Sequence, residues 1–258
     1  MSIPKIIHYV WLGGNEMPPK IAACLESWRR VMPDYELRRW DESCLGEIDS
    51  EFVREALAER KWAFASDVIR LYALYNYGGI YLDTDVRVAR NFDPLLHHRG
   101  FVGRESSMHL IGRETVNFLT TCCIGAEKCN PFIGRCLRYY DGRHFITSAD
   151  RSLPAELRLD MRLNSEVMYR LATEIGYKAS VLCDYEQDCG DIIVLPKDNL
   201  DPEGITVNSY CEHLALGSWR EGERPVYTYS FAYKIQWRLW AVVEKALRRF
   251  DRVIIRLR

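Results

Sequence analysis

Gly78-Gly79-Ile80-Tyr81-Leu82-Asp83-Thr84-Asp85-Val86 joins a double glycine to an apolar strand and then to two carboxylates one residue apart. Before it, Trp62 to Tyr77 carry only Asp67 and Arg70 as charged side chains. A helix that is apolar nearly all round is a buried one, and a glycine pair is a natural end for it. The pattern predicts helix over 62–77 and strand over 80–88, a pairing that belongs to an α/β layer architecture. Along an extended strand, residues two apart face the same way, so Asp83 and Asp85 are expected side by side. Like charges so placed repel unless a cation joins them, and carboxylate oxygens suit Mg²⁺ or Mn²⁺. The plain alternative is a solvated loop that happens to carry two acids. Asp67 and Arg70, three apart, are neighbours on a helix, and a buried ion pair is a weak stabiliser because desolvation offsets much of its attraction. They read either as a self-satisfied core pair or as groups turned to a ligand.

Upstream, Ile6-Ile7-His8-Tyr9-Val10-Trp11-Leu12 is β-branched and aromatic and stops at Gly13-Gly14, the pattern of a buried strand ending in a turn. A helix follows Pro18-Pro19 to about Met32, Pro33-Asp34 make a turn, and Tyr35 to Trp40 read as a second strand. Strand, helix, strand predicts a parallel crossover. Residues 51–60 read as an amphipathic helix. Beyond residue 100 the periodicity weakens to a strand over Gly100 to Glu105 and helices over Pro131 to Tyr140 and Asn164 to Ile175. With no repeat, low-complexity stretch or linker in view, one domain is expected over 1–230 and a separate tail over 231–258.

The chain has 258 residues, 48% hydrophobic and 28% charged, which is enough to bury a core without a disulfide or metal staple. A net charge of -1 gives nothing global to draw it onto nucleic acid. Nine cysteines, an odd number without a CxxC pair, read as reduced thiols. A zinc site of Cys183, Cys189, Cys211 and His213 would lack the usual two short ligand pairs. Neither the apolar core of a signal peptide nor a run of about 18 apolar residues is present, so a cytoplasmic protein is expected. The tail differs from the rest. It holds eight Lys and Arg against Glu244 and Asp251, and Phe231, Ile235, Leu239, Ala246 and Phe250 recur at helical spacing. Such a basic amphipathic helix either lies on an anionic membrane, here the cytoplasmic face of the inner membrane, or docks on the preceding domain with its charges in water.

In order along the chain, Ile3-Pro4-Lys5 through Gly13-Gly14, then Pro33-Asp34-Tyr35-Glu36 with Trp40, then Ala65-Ser66-Asp67 through Asp85, resemble the opening strand, second strand and central block of the DxD sugar-binding glycosyltransferases of family 32. That family includes capsular-polysaccharide enzymes and yeast initiating α-1,6-mannosyltransferases, with the large glucosylating toxins more distant. Gly103-Arg104-Glu105, Ile124-Gly125-Ala126 and His213 with Gly217-Ser218-Trp219 are similar to further elements of it.

The resemblance implies a GT-A type nucleotide-sugar-binding fold, a mostly parallel twisted sheet flanked by helices, with Mn²⁺ or Mg²⁺ and transfer that retains anomeric configuration. Carried over by position, Trp11 stacks on the nucleotide base beside a close approach at Gly13, Asp67 and Arg70 hold the donor sugar, and Tyr81 belongs to the donor pocket. Asp83 contacts ribose or metal-bound water and joins Asp85 as a metal residue, while Ser218 and Trp219 close over the diphosphate. Each has a plain alternative: Trp11 as a core aromatic, Gly13-Gly14 as a turn, Trp219 as a loop aromatic. The family often has a second histidine where Leu214 stands, which leaves a direct metal role for His213 open.

Breaking the bond from the anomeric carbon to a diphosphate builds negative charge on the leaving phosphate. Asp85 with its metal, Arg70 and the Trp219 indole are therefore the expected stabilisers, with Asp67 on the sugar. A same-face mechanism needs no dedicated base, and the sequence does not place Glu105 or another acid beneath the sugar. The expected activity moves a hexose, from UDP-glucose or UDP-galactose ahead of GDP-mannose, to a capsular, lipopolysaccharide or lipid-linked glycan. Phosphodiester hydrolysis would want more His or acidic ligands near Asp85 than Leu82 to Arg90 offers. A non-catalytic sugar-nucleotide-binding protein of the same fold would differ only in turnover.

Overall fold

A computed structural model describes residues 2–202 and 204–216. The strands in chain order are β1 (Ile6–Val10), β2 (Glu36–Trp40), β3 (Gly79–Leu82), β4 (Val86–Val88), β5 (Gly100–Arg104), β6 (His109–Ile111), β7 (Glu114–Val116), β8 (Leu119–Ala126), β9 (Gln187–Asp188), β10 (Ile193–Leu195) and β11 (Cys211–His213). The helices are α1 (Pro19–Val31), α2 (Glu51–Ala58), α3 (Trp62–Tyr77), α4 (Pro131–Arg138), α5 (Ala155–Arg158), α6 (Asn164–Thr173) and α7 (Lys197–Leu200). Seven strands form one sheet in the order β2-β1-β3-β8-β5-β10-β9. Every strand of it except β8 and β9 runs in one direction. The expected α/β class with a mostly parallel sheet is therefore present, and β1 and β2 pair in parallel around α1 as the crossover pattern predicts.

Two apolar clusters cover the two faces of the sheet. Tyr81 points into the cluster that holds α2, α3 and α4, whereas Ile80 and Leu82 point into the one that holds α1. That alternation is the period-two rule of a strand buried on both faces. It sets Asp83, one step beyond Leu82, on the α3 side with Tyr81.

Gly78 ends α3 with φ +68°, and its N–H donates to the Leu74 carbonyl at 2.9 Å. At Gly79, φ is +110° and a Cβ would stand 2.6 Å from the Ile6 carbonyl oxygen, so glycine is required where α3 turns into the sheet. His8 fastens this junction. Its Nε2 donates to the Gly78 carbonyl at 2.8 Å, and its Nδ1 accepts from the Trp40 indole at 3.1 Å. Burial is the main cause that lowers its pKa to about 4, with Arg38 acting the same way and the Gly78 bond opposing them. Folded His8 therefore stays neutral where the unfolded chain takes up a proton. Stability is full above about pH 6.5 and falls as pH drops toward about 4, by up to about 3 kcal/mol. Denaturation midpoints measured across that range should decline for the wild type and less steeply for His8→Asn. Parallel declines would assign the acid sensitivity to other groups.

The sequence reading needs one main correction. The strand expected over 80–88 is two strands in different sheets: β3 stops at Leu82, and β4 pairs antiparallel with β11 instead. Between them Val86 N–H donates to the Asp83 carbonyl at 2.9 Å, closing a turn over Asp83-Thr84-Asp85. The helices expected over 51–60, 131–140 and 164–175 are each present and two residues shorter. All nine cysteines are free thiols. Among the described residues no helix is long and apolar enough to cross a membrane. The tail over 231–258, and with it the expected amphipathic helix, lies outside the described residues, as do Gly217, Ser218 and Trp219.

Candidate active site

A cavity of about 490 Å³ opens at the carboxyl ends of β1, β3 and β5, where α/β sheets characteristically bind ligands. Its wall includes Trp11, Asp67, Arg70, Tyr81, Asp83 and Asp85 from the expected set, and also Glu105, Asn164 and His213.

The turn after β3, rather than an extended strand, brings the two aspartates together. Asp83 keeps its N–H in the sheet, donating to the Cys122 carbonyl at 2.8 Å. Its Oδ1 accepts from the Tyr81 hydroxyl at 2.8 Å and lies 3.5 Å from Arg70 Nη2. Asp85 faces the other way along the turn, toward β11. Its backbone carbonyl accepts from Leu214 N–H at 3.0 Å, its Oδ2 from Leu216 N–H at 2.9 Å, and its Oδ1 lies 3.3 Å from His213 Nε2. Asp83, Asp85 and His213 offer ligand atoms that all lie within 4.8 Å of one another. Two hard oxygens and an imidazole nitrogen fit Mn²⁺ or Mg²⁺ with room for ligand oxygens. The departure at Leu214 therefore does not remove His213 from the acidic pair. In the same group Cys183 and Cys189 take no part, so the zinc reading is not supported: Cys211 is buried and its thiol donates to the Leu200 carbonyl at 3.3 Å.

His213 shows what the acids demand. Burial works against its charge, yet the Asp85 hydrogen bond and the fields of Asp83, Asp85 and Asp201 raise its pKa to about 9. Burial also resists ionisation of Asp85, but His213 and the Leu216 N–H hold its carboxyl below the usual range. Without a metal, a protonated imidazole supplies the cation.

Asp67 and Arg70 form the expected buried pair at 3.0 Å, with side chains 14% and 5% exposed. Burial pushes Asp67 up to about 7 despite Arg70, and Asp83 adds to the rise. Every guanidinium nitrogen of Arg70 is engaged: Nη1 donates to the Thr121 carbonyl at 2.7 Å, Nη2 to Ser66 Oγ at 3.2 Å and Nε to the Ser66 carbonyl at 3.3 Å. Its charge reaches the cavity as a field between Asp67 and Asp83, with its face 4.6 Å over the Tyr81 ring. Tyr81 is buried and serves to hold Asp83.

Trp11 is half-buried on the cavity wall, with its indole N–H donated to the Asn15 carbonyl at 2.8 Å. Gly13 is not part of the wall. It adopts φ +88°, donates its N–H to Glu42 Oε1 at 2.6 Å, and sits behind the Trp62 indole, which is on the wall.

Asn164 went unnoticed in the sequence. At the start of α6 it is 2% exposed, donates Nδ2 to the Asp67 carbonyl at 3.1 Å, and leaves Oδ1 without a partner among the described residues. A buried amide oxygen on a cavity wall is costly unless a ligand hydroxyl meets it. Helix periodicity gives no hint of this, because the orphan exists only in the folded arrangement.

Residues 18–102 match the family model described as the glycosyltransferase sugar-binding region containing the DXD motif. The chain is 40% identical over 141 residues to inositol phosphoceramide mannosyltransferase 3 of Schizosaccharomyces pombe, covering 53% of this chain and 37% of the relative. It is 27% identical over 158 residues to mannosyl phosphorylinositol ceramide synthase SUR1 of Saccharomyces cerevisiae, covering 56% of this chain and 37% of that one. A solved structure, the PaToxG glycosyltransferase, superposes with a TM-score of 0.46 at 20% identity, over 67% of this chain and 70% of its own. The chain thus spans little more than a third of the length of these curated relatives. The matches support a glycosyltransferase of the DXD type, and the relatives are named for a lipid acceptor rather than a capsule.

Proposed function

We propose that the chain is a metal-dependent, retaining glycosyltransferase that moves a mannosyl group from GDP-mannose to a hydroxyl on the head of an inositol-phosphate lipid. One observation carries the metal-dependent donor site: Asp83, Asp85 and His213 bring ligand atoms within 4.8 Å of one another on the wall of a cavity whose arginine is already locked between Asp67 and Asp83. A divalent cation taking the place of the His213 proton would add positive charge facing a diphosphate. When bound, a divalent metal supplies Lewis-acid stabilisation of the leaving phosphate. The curated relatives turn the donor reading from a UDP-hexose toward a mannosyl nucleotide, and the acceptor reading toward a lipid. Retention is carried over from the sequence resemblance, and action at the cytoplasmic face of a membrane is proposed from the basic tail alone.

The chain's own groups divide the work. Asp83, Asp85 and His213 would hold the metal. Trp11 offers an aromatic face for the base, while Asp67 and the orphaned Asn164 oxygen offer acceptors for sugar hydroxyls. Arg70 fixes Asp67 and Asp83 so that no reorganisation is needed as charge develops.

A thermal-shift panel of GDP-mannose, UDP-glucose and UDP-galactose, each with and without Mn²⁺, tests this reading. GDP-mannose with Mn²⁺ should raise the melting temperature, the stabilisation amounting to about 2.7 kcal/mol at a hundredfold excess over Kd, and Mn²⁺-free mixtures should show little. A shift seen with a UDP-sugar alone would move the donor; equal shifts without metal would sink the cation.

A further inference from the structure

We infer that Glu105 and the β6–β7 hairpin form the acceptor subsite, shaped for an amphiphile with a hydroxylated head and an apolar tail. This rests on the glycosyltransferase reading above and places its second substrate.

Glu105 lies on the wall of the same cavity but outside the Asp83, Asp85 and His213 cluster. Its backbone is pinned at both ends: its N–H donates to the Phe118 carbonyl at 2.9 Å, and its carbonyl accepts from Asn117 Nδ2 at 3.1 Å. Its Oε2 lies 3.0 Å from His109 Nε2. The His109 ring lies flat on Phe118, centroids 3.7 Å apart, and Phe118 stacks on Tyr169 at 4.8 Å. An imidazole so clamped aims the carboxylate without reaching the cavity itself, which makes His109 a positioning residue. The second oxygen, Oε1, has no partner among the described residues, and a carboxylate oxygen on a cavity wall is completed by a hydroxyl donor.

His109 opens β6, and the chain turns apolar and exposed immediately beyond it. Leu110 is 72% and Ile111 41% exposed, with Met108 at 37% on the near side. Leu182, 66% exposed, follows Val181, whose N–H donates to the Thr115 carbonyl in β7. Ile111 shares the His109 face of the ribbon and continues outward from Glu105, whereas Leu110 lies on the opposite face. The place of the His109 face identifies the occupant: passing outward from the cavity, one meets a hydrogen-bonding acid, then an apolar rim, with exposed Arg113 at the hairpin turn. That order of chemistry fits a polyol head carried on an anionic lipid, its head at Glu105 and its apolar part against Ile111, on the ribbon face that His109 shares.

The test compares wild type, Glu105→Gln, His109→Ala and the surface double variant Leu110→Ser/Ile111→Ser in the full chain with Mn²⁺ and GDP-mannose. The acceptors are inositol phosphoceramide in phosphatidylcholine vesicles and, separately, soluble glycerophosphoinositol. Glu105→Gln and His109→Ala should raise the KM for either acceptor about tenfold while the donor Kd moves far less. The hairpin variant should lose about tenfold in transfer to the vesicle acceptor and much less with the soluble head. Equal losses for donor and acceptor in Glu105→Gln, or equal transfer to both acceptors by the hairpin variant and wild type, would overturn the subsite. A wild type that neither binds GDP-mannose nor releases GDP from it overturns the underlying reading instead, and this one with it.

Discussion

Asp85→Asn is expected to lower kcat/KM about a thousandfold and to remove the Mn²⁺-dependent part of donor binding. Two features of Asp85 make it the most sensitive position. It is the residue shared between the acidic pair and His213, so a metal held there loses a charged ligand and the partner that aligns a second one. Apart from its ion pair with His213, it carries no structural duty that an amide cannot take over. The bond from Leu214 N–H goes to its backbone carbonyl, and an asparagine oxygen can still accept from Leu216 N–H. Without metal the lost His213 pair should cost about 1–3 kcal/mol near neutral pH, and relief of repulsion with Asp83 offsets part of it. Mn²⁺ titration by electron paramagnetic resonance, alongside GDP release, separates the two effects. A variant that binds Mn²⁺ and donor as wild type does would show that the acids serve only the fold.

Much of the architecture could be read locally because its determinants are local. The run from Trp62 to Tyr77 is apolar enough to specify a buried helix, and Gly78 and Gly79 end it through positive φ values that other residues adopt at a cost. β1, α1 and β2 likewise follow from composition and prolines over short spans. The central strand β8 is a different case: Leu119 to Ala126 is buried almost throughout, so it lacks the polar alternation that announces a strand. The break at Asp83 escaped for a related reason. Val86 to Val88 has strand character, but its partner is Cys211 to His213, over a hundred residues away, and no local pattern distinguishes that pairing from continuation of β3. The same long-range pairing sets His213 beside Asp85. Asp83 and Asp85 could be named from type and spacing, and His213 and Glu105 could be raised but not placed, whereas only tertiary placement brings these two and Asn164 to the cavity wall.

Arg70→Met is expected to cost about 3–5 kcal/mol, the largest loss of stability among these variants, and to reduce transfer as well. The substitution keeps much of the side chain's bulk on the Tyr81 ring but withdraws the positive charge between Asp67 and Asp83, and it leaves the Thr121 carbonyl without its donor. The melting temperature should fall by about 10 °C for a chain of this size. Arg70→Lys should recover only part of that, because one ammonium cannot span Ser66, Asp67, Asp83 and Thr121 as a planar fork does. A double variant, Arg70→Met with Asp67→Asn, separates the roles. Without Arg70 the Asp67 carboxyl, already raised to about 7, stays protonated near neutral pH, so the double variant should regain about 1–3 kcal/mol relative to the sum of the single changes only well above neutral pH. Transfer should not return with it, since an amide is a weaker hydroxyl acceptor than a carboxylate and Asp83 is left with only the Tyr81 hydroxyl to hold it. Stability of Arg70→Met equal to wild type would mean that the pair is not the hub of this site. Recovery of transfer in the double variant would instead show that Arg70 acts only by balancing Asp67, and that Asp83 needs no fixing.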